Sequence, residues 1–247
     1  MRHYTSRLNI LLFEPAEAGR PLPLGDRRAQ HLIAVLKRGP GETFDAGIID
    51  GPRGKGRVDG VGSEEINWTF TGGEQGPVEL DPIELWVGLP RPQTARKILQ
   101  EGAALGVRAM RFVVSDQTEA GYGQSTLWTS GEWRRHALAG VEQSFTTRLP
   151  EVEFGATLAE TLERRSVTTV VALDNYEAPQ GLAEAAFEVK PPVAILVGSE
   201  RGWSAPERDL LRANGASLAH LGARVLRTET ACVAAVTLVK NKLGCFR

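Results

Sequence analysis

From residue 83 onward the chain alternates short apolar runs with longer stretches of helical spacing, and this rhythm constrains the fold more than any other feature. The apolar runs cover 83–89, 109–114, 168–173, 193–197 and 216–218, and the helix-patterned stretches cover 94–105, 132–145, 158–164, 205–213 and 229–243. Short runs rich in Val, Ile and Leu read as buried strands. Their alternation with helices predicts an α/β domain around a mostly parallel sheet. In such sheets ligands sit beyond the carboxyl ends of strands, where loops meet helix N-termini.

The first seventy-odd residues have a different texture. Segment 8–13 is strand-like, and Asp26 is placed to cap a helix whose apolar face would carry Leu32, Ile33, Val35 and Leu36. After Gly39-Pro40-Gly41, the segments 42–49, 56–61 and 65–71 read as strands separated by Gly and Pro. Their spacing suggests a small β-barrel. The stretch Gly72-Gly73-Glu74-Gln75-Gly76-Pro77 is the best linker candidate. It divides the chain into a small unit over 1–75 and a larger one over 80–247.

Composition narrows the class. Among 247 residues there are two cysteines, Cys232 and Cys245, with no Cys-x-x-Cys pair and no histidine cluster beside them. A disulfide framework and a structural zinc site are therefore not expected, and a reduced cytoplasm fits best. The apolar run near the N-terminus is too short for a secretory signal, and no later stretch reaches the roughly eighteen apolar residues of a membrane span. A soluble cytoplasmic chain without a membrane partner is expected.

The net charge of −1 hides a local field: residues 1–57 carry ten Lys/Arg against six Asp/Glu, and residues 58–82 carry none against six. Arginine's planar fork suits phosphate, so Arg2, Arg7, Arg27, Arg28, Lys37 and Arg38 are candidate RNA contacts. Charge alone is equally satisfied by ordinary solvated arginines.

Two connections from strand to helix stand out. The run 193–197 leads into Gly198-Ser199-Glu200-Arg201-Gly202-Trp203, and Ser204-x-x-Glu207 then forms a capping box. Its two glycines let backbone approach a ligand closely, although a purely structural turn has the same signature. Neither a Walker pattern nor Gly-x-Gly-x-x-Gly is present. The second connection, LGARVLRTETA over 221–231, places two arginines and two threonines before an apolar helix, where Thr228 could simply cap. Both follow strands and so can meet at one end of the sheet. The four histidines, His3, His31, His136 and His220, lack partners at metal-ligand spacing.

The string LGARVLRTETA closely resembles the third motif of the RsmE family of SPOUT-class methyltransferases, and GSERGWSAPE resembles that family's Gly-Pro-Glu-Gly-Gly turn. Leu89-Pro90-Arg91-Pro92, the helix end from Ile98-Leu99-Gln100 to Gly106-Val107, and Glu142-Gln143-Ser144 to Leu149-Pro150 fall in the family's order. His31-Leu32 to Val35-Leu36-Lys37 is similar to its N-terminal domain, so the resemblance spans nearly the whole chain. Departures are Ser199 for Pro and Arg201 for the middle Gly of the turn, Glu101 and Ala104 in the helix before Gly106, and Asp116-Gln117 for the usual Glu-Arg. Arg201 puts a bulky cation into a loop expected to wrap a cofactor.

The resemblance implies S-adenosylmethionine, without a metal, held in a C-terminal trefoil knot of a homodimer whose active site lies at the interface. It further implies a PUA-like N-terminal barrel that binds RNA. The reaction would methylate ring nitrogen 3 of a uridine in 16S ribosomal RNA, free or in an assembled 30S particle. Under this resemblance Leu173, Gly198, Gly202, Leu221, Gly222, Val225, Leu226, Thr230 and Ala231 surround the cofactor. Arg227 or Arg224 would stabilise charge on the uracil oxygens, and Glu200 is either a base or a structural acceptor of backbone N–H groups. Val233, Val236 and Leu238 would contribute to the dimer contact. Two other readings stand beside this one: a related enzyme acting on a ribose 2′-oxygen, and a non-catalytic RNA-binding ribosome assembly factor.

Overall fold

The computed structural model describes residues 10–73, 76–184 and 188–246, which fall into two compact units. The first comprises the residues up to Glu79 together with Val141–Leu149. Its strands β1 (Leu11–Phe13), β2 (Leu22–Pro23), β3 (Thr43–Ile48), β4 (Arg53–Val61) and β5 (Glu65–Gly72) form one sheet in the order β1-β3-β4-β5-β2. β1 pairs parallel to β3, and the other pairs are antiparallel. The core gathers Phe13, Phe44 and Trp68, with Phe13 and Phe44 ring centroids 4.2 and 5.8 Å from that of Trp68.

Helix α1 (Arg27–Gln30) begins where Asp26 accepts the Arg28 backbone N–H. It then widens into a π turn over His31–Val35, closed by the Leu36 N–H on the His31 carbonyl at 2.9 Å. Wider winding rotates the later residues away from the face a regular helix would bury. Leu32 is buried and Leu36 half-buried, whereas Ile33 and Val35 are 41% and 39% exposed, contrary to the expected four-residue apolar face.

Val141–Leu149 completes this unit from afar, which a boundary drawn at the Gly-rich stretch does not foresee. The Asp50 N–H donates to the Thr147 carbonyl at 2.8 Å, the Thr147 hydroxyl to the Gly51 carbonyl at 2.7 Å, and the Arg53 guanidinium to the Phe145 carbonyl at 2.8 Å.

The second unit contains β6 (Asp81–Gly88), α2 (Pro92–Ala104), β7 (Val107–Val114), α3 (Thr126–Thr129) and most of α4 (Glu132–Gln143). It continues through β8 (Glu151–Thr157), α5 (Leu158–Glu163), β9 (Thr169–Leu173), β10 (Val193–Val197), α6 (Ala205–Ala213), β11 (Ser217–Ala219) and α7 (Thr228–Leu243). The sheet order is β11-β9-β10-β6-β7-β8, and every described pair is parallel. All five residues of β10 are buried, as expected of a central parallel strand covered on both faces. The chain winds from β6 outward to β8, returns beyond β6 as β9, fills the gap between them with β10 and ends on the far edge as β11, so the connections leaving β6 and β10 run in opposite directions.

Val236 of α7 is buried within this unit, and Val233 and Leu238 are half-buried, so part of the apolar face expected at a dimer contact belongs to the intrachain core. Among the described residues no helix is long and apolar enough to cross a membrane.

Candidate active site

Neighbouring strands β11, β9 and β10 end at one edge of the second unit, where the loops leaving them enclose a cleft of about 160 Å³. After β9, Leu173 leads into Asp174, Asn175 and Tyr176 on one wall. The buried Asp174 carboxylate accepts the Tyr176 and Glu177 backbone N–H groups at 2.8 and 2.6 Å, and Arg208 Nε of α6 at 2.7 Å. Burial pushes this carboxyl up, but the Arg208 guanidinium and the two backbone donors outweigh it and hold the group below the usual carboxylate range. The wall is thus fixed by a fully satisfied buried charge.

After β10 the chain turns through Gly198 to Gly202. The Gly202 N–H donates to the Ser199 carbonyl at 2.9 Å, and Gly202 has φ +73°. A Cβ on Gly198 would lie 2.7 Å from the Gly202 Cα and carbonyl carbon, so only glycine closes this turn. Ser204 and Glu207 form the expected capping box at the start of α6. Trp203 is buried, and its Nε1 donates to the Leu173 carbonyl at 3.2 Å. It ties the end of β10's loop to the end of β9.

The third wall is Leu221, Arg224, Val225 and Leu226 after β11, with Thr228 and Ala231 from the first turn of α7. Here Val225 is 81% exposed.

Of the candidate cofactor residues, Leu173, Gly198, Gly202, Leu221, Val225, Leu226 and Ala231 line the cleft, while Gly222 and Thr230 do not. Gly222 is exposed with nothing within 4 Å of a built Cβ; its φ of +97° is what calls for glycine. Arg224 lines the cleft, whereas Arg227 is the exposed N-cap of α7, outside the lining. Glu200 also lines it, and its Oε1 accepts the Arg91 backbone N–H at 3.2 Å with Arg91 Nε 3.5 Å away. It thus braces the start of α2, not its own turn. The Arg201 guanidinium, 67% exposed, pairs with Glu119 at 3.5 Å. Thr228, a possible cap from sequence, is instead the buried first residue of α7, behind the Arg227 N-cap, and lines the cleft; Asp174, Asn175 and Tyr176 are lining residues whose sequence signal is only a polar Asp-Asn-Tyr step straight after an apolar strand.

The family described as RNA methyltransferase domain matches residues 78–240. Ribosomal RNA small subunit methyltransferase E of Treponema pallidum is 32% identical over 94% of this chain and 90% of its own length. This decides the family. The chain belongs to the ribosomal RNA small subunit methyltransferase E family. A second relative of that description, from Borreliella burgdorferi, is 27% identical over 96% of the chain and 99% of its own length. In three dimensions the chain is similar to the Neisseria gonorrhoeae methyltransferase E bound to S-adenosyl methionine. That structure has a TM-score of 0.76 at 22% identity and covers 94% of this chain and 97% of the other. The chain is an RNA methyltransferase.

For the methyltransferase, the basic N-terminal residues are the other candidate contacts. Arg2 and Arg7 lie outside the described residues. Arg28 is engaged inside its own unit: it bridges Glu17 and Asp26 at 2.8 and 2.7 Å, donates to the Leu12 carbonyl, and stacks over Phe13. With 14% of its side chain exposed, it has little to offer a phosphate. Arg27 is 65% exposed and pairs with Glu142, Lys37 is exposed, and Arg38 faces Glu42 at 3.5 Å. Among the described residues, no group of three or more His, Cys, Asp or Glu could hold a metal ion.

Proposed function

We propose that the chain transfers the methyl group of S-adenosylmethionine to ring nitrogen 3 of a uridine in small-subunit ribosomal RNA. The carrying observation is the cleft at the carboxyl ends of β9, β10 and β11, built from the two motif segments 198–202 and 221–231. Its walls suit the cofactor: Leu173, Val197, Leu221, Val225 and Leu226 offer apolar contact to an adenine, and the Cβ-free turn at Gly198 brings backbone close. When bound, the cofactor supplies an electrophilic methyl on a sulfonium, so no metal enters the proposal.

The chain's own residues have two tasks. One is positioning: Asp174 with Arg208, and Trp203 with the Leu173 carbonyl, hold the cleft's walls fixed so that donor and acceptor meet in line. The other is charge. The uracil nitrogen attacks only after giving its proton to solvent water, and the negative charge then spreads onto the ring oxygens. Arg224 in the cleft and Arg227 at the α7 N-terminus are cations suited to that charge, reinforced by the helix dipole. Glu200, braced on Arg91, serves as a positioning group in this reading.

The trefoil knot, the PUA-like RNA-binding barrel over 1–75 and the knotted catalytic domain over 80–247 belong to the same proposal. So does the homodimer. The test is nucleoside mass spectrometry of small-subunit ribosomal RNA, offered free and as 30S particles, after incubation with protein and S-adenosylmethionine. N3-methyluridine is expected. A 2′-O-methyl nucleoside would replace the reading with a ribose methyltransferase, and absence of cofactor binding by calorimetry would replace it with an RNA-binding assembly factor.

A further inference from the structure

We propose that the outer edge of β8 takes a Lys- and Arg-rich extended segment of a different protein as an added strand. This goes beyond the methyl-transfer reading, and its test does not depend on that reading.

The backbone supplies the first argument. β8 closes the six-stranded sheet, pairs parallel to β7 on one side, and has no strand on the other among the described residues. Glu151–Phe154 runs in unbroken register with Ala109–Phe112, and the register shifts only beyond Phe154, where Gly155 has φ +90°. The N–H and C=O groups that point outward along such a regular edge are what an added strand pairs with. The opposite edge of the sheet is less open: β11 is three residues long, and His220 just beyond it already bonds the backbone of Gln180 and Leu182.

Charge selects the occupant. The open groove of about 910 Å³ along β8 and α5 presents Glu153, Glu160 and Glu163 against Arg164. Glu153 is paired with Arg111 and Arg164, and Glu160 caps the Thr157 N–H through Oε2. Glu163 is exposed with no ion-pair partner among the described residues, and Glu151 is exposed at the start of the strand. A second copy would bring the same carboxylates edge to edge, which like charges oppose. A nucleic acid would bring phosphates against them. A strand carrying Lys and Arg meets them with opposite charge, and basic arms of this kind occur on proteins that themselves bind nucleic acid.

Phe154 supplies a contact for those cations. Its ring lines the groove, is 42% exposed, and stacks on buried Trp128 with centroids 4.8 Å apart and planes 25° apart. Trp128 holds the ring from behind, so the remaining open surface is fixed in place for a guanidinium or ammonium group.

The test uses the full-length protein and a fluorescent peptide of alternating lysine and valine. Two control peptides accompany it, one with glutamate for lysine and one fully N-methylated so that it donates no backbone hydrogen bond. The lysine peptide should bind more weakly as salt rises, and it should slow hydrogen–deuterium exchange over residues 151–157. Glu163→Lys and Phe154→Ala should each weaken its binding roughly two- to fivefold. Both should keep wild-type affinity for S-adenosylmethionine, since neither residue lines the cofactor cleft. Equal binding by the N-methylated peptide, or unchanged exchange at 151–157, overturns the added strand. Equal binding by the glutamate peptide, or wild-type binding in both variants, overturns the basic partner. Slowed exchange at 151–157 produced by raising the protein concentration alone would give the edge to a second copy, and the same effect from polyuridine would give it to RNA; either result overturns the proposal.

Discussion

Replacing Gly198 by alanine probes the cofactor cleft with the smallest possible change. The added methyl would sit 2.7 Å from two backbone atoms of Gly202 and 3.1 Å from its carbonyl oxygen. No side chain can swing aside to make room, because the obstacle is main chain. The turn must open, and overpacking of this kind costs roughly 1–3 kcal/mol. Part of that cost falls on folding, at about 2–4 °C of melting temperature per kcal/mol for a chain of this length. The remainder falls on the cleft, because the backbone displaced is the wall itself. If about half reaches the cofactor site, S-adenosylmethionine affinity falls by roughly three- to tenfold. Gly222→Ala is the matched control: nothing crowds its Cβ, and its left-handed φ confines the penalty to local strain of about 1–2 kcal/mol. Calorimetric titration beside thermal melts of both variants separates the effects. Gly198→Ala binding the cofactor like wild type, or Gly222→Ala losing more affinity than Gly198→Ala, would refute this account of the cleft.

Four further outcomes follow from charges placed by the fold. Arg28→Ala should destabilise the first unit by about 1–3 kcal/mol, because it strands Asp26 and Glu17 beside a core aromatic. The Arg28 guanidinium holds both carboxyls below their ordinary values, so this stabilisation is present above pH 4.5 and lost as pH falls through the lowered values; urea unfolding between pH 6 and 3 should show a shallower acid loss in the variant. Glu142 has the opposite sign: burial pushes its carboxyl up despite Arg27, so stability falls as pH rises from 4.5 through the raised value, and Glu142→Gln should gain on wild type in unfolding measured at pH 7 relative to pH 4. Neutralising Arg27, Lys37 and Arg38 should flatten the salt dependence of RNA binding by about one unit of slope per lost phosphate contact, with cofactor affinity untouched. Arg227→Ala should instead keep RNA affinity and lower the single-turnover rate; an unaltered salt slope or an unaltered rate, respectively, would remove each set from its role.

Much of the catalytic unit is legible because its signals are local. The strand 193–197 and the helix 205–213 occur where their apolar run and capping box place them, since Val, Ile and Leu bracketed by Pro and Gly leave one choice. β8 is not legible: Glu151, Glu153 and Gly155 interrupt it, and it survives as an edge strand with Glu151 exposed and Glu153 half-buried against Arg111 and Arg164. The π turn at His31–Val35 escaped because a residue pattern with helical spacing does not report how wide the next turn is wound. Trp203 drew attention beside the turn, yet its ring is core and its N–H a strut to Leu173, which only three-dimensional neighbours can reveal. Arg28 shows the same blindness for charge, since its acidic partners Asp26 and Glu17 are ordinary residues until the fold closes them around it.

The distant piece of the first unit carries a consequence in time. Ile10, Asp50 and Arg53 find backbone partners in residues 142–147, so their unit cannot finish when the ribosome has made its strands. It must wait about 70 residues, from Glu79 to Leu149, or roughly 4–14 s at ordinary rates of elongation. During that interval β6, α2 and β7 are already being made, and a nascent chain halted just short of residue 141 should present a loosened first unit that protease cuts readily, whereas one halted with residue 149 clear of the tunnel should resist.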